Sequence, residues 1–92
     1  MAENKTPDPT TGRVVEYTLT EADAARIMAE RTPFSGYGNA SHPGDVVPLI
    51  VVRGRDERHV SGQAFLDAPQ TLWIADAAEG DERGEWHNPA KA

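Results

Sequence analysis

Cysteine is absent from these 92 residues, so disulfides and thiolate–zinc sites are excluded and a reducing compartment is the natural setting. Aromatics are scarce: two tryptophans, two tyrosines and two phenylalanines. No apolar stretch approaches the roughly 18 residues of a membrane span, and the polar start lacks a signal-peptide core. Basic residues are outnumbered, nine Lys and Arg against fifteen Asp and Glu, for a formal charge of −6. General attraction to phosphates needs a net basic face, so nucleic acid is not an expected partner. Such a charge suits a protein that meets other proteins, basic surfaces among them.

Catalytic signatures are missing too. Ser35, Ser41 and Ser61 stand outside any G-x-S-x-G elbow. His42, His59 and His87 form no H-x-x-x-H pair, and only a convergence in space, such as His42 with Asp45 and His87, would assemble a metal-binding set. Gly36-Tyr37-Gly38 lacks the lysine of a phosphate loop. No enzymatic activity, metal or cofactor is expected.

What is present points to a small β domain. Eight glycines and seven prolines favour a turn-rich architecture over a helical bundle. A single domain of this length buries only about 60–65% of its unfolded surface, which limits it to one core. Its longest apolar run is Asp45 to Arg53, too short for a typical helix and interrupted by Pro48. Both alternating sets of this run, Val47/Leu49/Val51 and Val46/Ile50/Val52, are apolar. A strand of that kind is expected at the centre of a closed or folded-over sheet, covered on both faces.

The other elements wrap around it. Met1 to Thr11 is nearly devoid of apolar residues and reads as a disordered arm, or one that orders on a partner. Arg13 to Leu19 alternates as a half-buried strand. Thr20 then caps a helix reaching about Arg31, with Glu21 and Asp23 in its first turn and Ala24, Ile27 and Met28 on its inner side. The T-x-x-D spacing approximates a capping box. Thr32 to Gly44 is a long loop, Gly54 to His59 a charged hairpin tip, and Val60 to Leu66 a returning strand. That strand sets Val60, Ala64 and Leu66 on one face and Ser61, Gln63 and Phe65 on the other. Asp67 to Gln70 makes a turn, Thr71 to Ala75 another strand, and Glu85-Trp86-His87 a short closing one, with Trp86 folding the tail over the barrel. The expected fold is mainly β with one helix (α+β): a small SH3-like, partly open barrel of about five strands, the helix inserted after the first. An open sheet with the helix on one face is the alternative. The domain spans residues 12–89, followed by a frayed tail at 90–92.

Contact residues are sought in the loops. Phe34 and Tyr37 on the glycine-rich loop either pin it to the core or stand exposed for a partner, with Asn39 and His42 beside them. Arg53, Arg55 and Arg58 form a small basic spot diluted by Asp56 and Glu57. Candidate protein-binding residues are therefore Phe34, Tyr37, Asn39, His42, Arg55 and Arg58.

The order of several pieces resembles a known group. Gly12-Arg13-Val14-Val15 with Tyr17-Thr18-Leu19-Thr20-Glu21, Gly38-Asn39, Gly44-Asp45-Val46 and Val51-Val52-Arg53 are followed by Gln63-Ala64-Phe65-Leu66-Asp67 and Thr71-Leu72-Trp73. Glu79-Gly80-Asp81 and Gly84-Glu85-Trp86-His87 complete the series. Together they resemble small uncharacterised proteins of actinobacterial phages and prophages, departing from them in the turn after Asp67 and in a missing tryptophan after Arg53. The resemblance implies a phage-type origin and a compact β fold, and brings no functional residue. A non-catalytic accessory protein is expected, binding a host factor or a phage structural protein in the host cytoplasm. Its alternative is a virion component such as a capsid decoration protein, with a small metal-binding domain or enzyme behind both.

Overall fold

A computed structural model describes residues 11–30, 41–66 and 71–89. The elements are β1 (Val14–Thr18), α1 (Glu21–Glu30), β2 (Val46–Gly54), β3 (His59–Phe65), β4 (Thr71–Ala78) and β5 (Trp86–His87). They form one sheet in the order β4-β3-β2-β1-β5, curled into a half-barrel with a single helix. Neighbouring strands in this order all run antiparallel. The expected α+β, SH3-like architecture is the one observed.

The helix begins where a reciprocal cap satisfies its first donors. The Asp23 N–H donates to Thr20 Oγ1 (2.9 Å), and the Thr20 N–H donates to Asp23 Oδ2 (3.0 Å). Aspartate thus performs the role that glutamate usually has in such a box. Tyr17 reinforces it by donating its hydroxyl to the same Oδ2 at 2.5 Å. Its phenol pKa is raised, first by burial and then by the neighbouring Asp23 carboxylate. The helix inserts Ile27 fully and Ala24 nearly so, whereas Met28 is exposed. Met28 therefore departs from the inner side assigned to it: the buried stripe is only wide enough for Ala24 and Ile27.

The interior is lined by Val15, Tyr17, Leu19, Ile27, Leu49, Val51, Val60, Ala64, Leu72, Ile74, Ala77 and Trp86. Here β2 corrects the two-faced expectation. It is the middle strand, yet only Leu49 and Val51 are fully buried, while Val46 and Val52 on the other side are 52% and 46% exposed. The reason is geometric: the sheet curls once, α1 contributes Ile27 to the enclosed side, and no second layer of described residues covers the outside. Pro48 is tolerated because the β2–β3 ladder starts at Leu49↔Ala64, so its missing N–H falls at the ladder's margin.

Closure comes from the segment after β4. Glu79 bridges to Trp86, and the Gly80 N–H donates to the Trp86 carbonyl at 2.8 Å. Trp86 is 2% exposed and donates its indole N–H to the Arg58 carbonyl at 3.0 Å. The tail is folded over the barrel as expected. Burial and a satisfied N–H together make this tryptophan the plug of the open side.

Candidate functional site

The exposed side of the sheet carries several large apolar side chains beside polar ones such as Gln63. Register places Val14 opposite Ile50, Ile50 opposite Gln63, and Gln63 opposite Trp73, making one row across four strands. Phe65, opposite Thr71 in the next row, is a diagonal neighbour of Trp73. Val14, Val52, Phe65 and Trp73 are each about two-fifths to half exposed, and Ile50 is half-buried. The alternation of β3 and β4 dictates this: Ala64, Leu72 and Ile74 must point inward, which turns Phe65 and Trp73 out. Phe65 takes the face expected from the sequence. Trp73 becomes a surface aromatic.

At one end this face runs into a cavity of about 660 Å³ whose lining includes Thr11, Val52, Arg53, Arg55, Ser61 and Asp76. Two irregularities shape it. The β2–β3 register shifts between Val51 and Arg53, and the β3–β4 register shifts between Val60 and Gly62. Both crowd around Gly62, where an added Cβ would lie 2.1 Å from the Ile50 carbonyl oxygen. Asp76 adopts φ of 56°, a left-handed conformation uncommon outside glycine. Its N–H donates to Ser61 Oγ at 2.8 Å, and its carboxylate accepts from Arg55 Nε at 2.7 Å. Bulges of this kind re-aim side chains and concentrate beside binding sites. Thr11, the end of the expected arm, is tied down here by donating its hydroxyl to the Val52 carbonyl at 3.0 Å.

The sequence-derived candidates are distributed unevenly. Phe34, Tyr37 and Asn39 lie outside the described residues, as do the rest of the arm, the 67–70 turn and the 90–92 tail. His42 is exposed and closes a small turn, its N–H donating to Asp45 Oδ2 at 2.9 Å. Arg55 lines the cavity. Arg58 does not join it, because its carbonyl is held by Trp86 and by the Glu79 N–H at 2.8 Å, on the closing segment. The hairpin tip is organised by Asp56, whose Oδ1 accepts from the Arg58 and His59 N–H groups (2.8 and 3.0 Å). The Arg58 N–H foremost, and then the His59 imidazole 2.9 Å from Oδ1, bring its pKa down to about 2.

The histidines do not converge. His42 neighbours Asp45, whereas His87 lies between Glu16 (3.0 Å) and Asp81 (3.8 Å). Among the described residues no three His, Asp or Glu side chains are placed to hold a metal ion. No helix among the described residues is long and apolar enough to cross a membrane.

Sequence reading missed Arg53 with Ser61 and Asp76 as one cluster, and Val52 with Trp73 as one surface. The second left a signal in the double-sided apolarity of the Asp45–Arg53 run. The first left none, since a bulge has no pattern in sequence. No family model, curated protein or solved structure matches the chain.

Proposed function

We propose that the chain is a non-catalytic protein-binding module, an accessory protein of phage or prophage type that acts by docking on a host or phage protein. The observation that supports this reading is the side of the sheet over which no described element lies, where Val14, Val52, Phe65 and Trp73 share one surface with half-buried Ile50. Full burial of a large apolar side chain is worth about 1.5–3 kcal/mol, and these side chains, already about half buried, contribute roughly half of that on docking. Tryptophan is also the residue most enriched where binding energy concentrates. Five strands and a plugged core supply a rigid platform, so docking orders few side chains.

The test is capture from bacterial lysate followed by titration calorimetry with the purified partner. Replacing Phe65 and Trp73 together by serine is expected to weaken binding by about 10- to 100-fold, in line with the loss of two such contributions. Phe34→Ala/Tyr37→Ala is run in parallel, and loss confined to that variant moves the docking surface to the loop. Equal affinity in all versions overturns the reading.

A further inference from the structure

We propose that the cavity at the end of the apolar face is a carboxylate-receiving pocket, and that the partner segment is an extended peptide carrying an Asp or Glu beside an apolar residue. This rests on the binding-module reading and specifies its ligand. Arg53 and Arg55 lie in the same lining, and Asp76 is its one acidic member. Asp76 is already engaged by Arg55 Nε and by the Ser61 side. Arg53 is exposed and has no ion pair among the described residues. Ser61 Oγ accepts from the Asp76 N–H, which leaves its own O–H to donate. Arg55 is paired with Asp76 at 2.7 Å and lies 3.9 Å from Asp56 just outside the lining, so the one unpaired positive charge of the lining is that of Arg53. That single charge matches a monoanion.

A planar carboxylate also fits a guanidinium through two parallel hydrogen bonds. Val52 belongs both to this lining and to the exposed apolar side, with Ile50 two residues away on β2. An extended ligand repeats its same-side residues every ~7 Å. It can therefore set an apolar side chain over Ile50 and Val52 while its carboxylate meets Arg53. The left-handed Asp76 accepts from Arg55, and the bulge at Val52 sets Arg53 opposite Ser61 in the ladder.

The experiment pans a displayed peptide library against the full chain and remakes the selected peptides with Gln or Asn in place of each acid. Selected sequences should pair an acidic with an apolar residue. Neutralising the acid should weaken binding about tenfold, consistent with one charge-assisted pair. Arg53→Gln should weaken the acidic peptide to a similar extent and leave the neutral one unchanged, the signature of a direct pair. Peptides that bind without an acid, lose affinity on Trp73→Ser and ignore Arg53→Gln overturn the carboxylate pocket while sparing the binding module. Failure to select any peptide sensitive to either substitution overturns both.

Discussion

The two sides of β2 are built from the same kinds of residue and meet opposite fates. Leu49 and Val51 are wholly enclosed, whereas Val46 and Val52 stand about half open to solvent. Hydrophobicity therefore does not decide which side becomes the interior. The partners do: the inner side faces Ile27 of α1 and Trp86 of β5 in the core cluster, and the outer side has no described element over it. Surface apolar residues scattered singly require no explanation, whereas Val14, Ile50 and Trp73 share one row interrupted only by Gln63, which is the basis of the docking surface proposed above.

This contrast can be broken from the inside with the largest effect. Trp86→Ala should cost about 3–5 kcal/mol, because it empties the plug and abandons the Arg58 carbonyl. Chemical denaturation checks it, and an unchanged midpoint would place Trp86 outside the core. Gly62→Ala comes next, at about 1–3 kcal/mol, since its Cβ would collide with a backbone oxygen that cannot swing aside. Nuclear magnetic resonance should show the shifts for this variant spreading from Ile50 towards Asp76. From the outside the effect on folding should be smaller: Trp73→Ser is expected to cost about 1 kcal/mol, well below Trp86→Ala, while weakening docking. A thermal melt lowered as far as for Trp86→Ala would erase the distinction between the two sides.

The smallest effect sharpens the comparison at the hairpin tip. Asp56 has a folded-state pKa of about 2, below the usual unfolded value near ~3.9. A depressed carboxylate favours the folded state above its unfolded pKa, and this contribution disappears as pH falls through the folded value. The tip should therefore stay ordered down to about pH 4 and loosen between about pH 4 and 2. Carboxyl carbon shifts of Asp56 followed against pH provide the check.

Much of the architecture was legible in the chain. Thr20 and Asp23 announce the helix start, the alternation of Val60 to Phe65 sets that strand's faces, and Trp86 stands out as a late buried aromatic. The covering of β2 was not, because alternation reveals what could be buried rather than whether enough chain exists to bury it. The cavity was less legible still. Arg53, Ser61 and Asp76 are brought together by register shifts and one left-handed residue, and neither leaves a repeating pattern in sequence.

The closing pair has a kinetic consequence. β5 meets β1 through partners such as Glu16 and His87, 71 positions apart, whereas β2, β3 and β4 follow one another directly. Long-separation contacts bear the greatest chain-closure entropy, so the three-strand meander should assemble early and the terminal seam last. Amides of β1 and β5 should thus gain exchange protection after those of β3, making the tail a latch that sets when the protein becomes fully native.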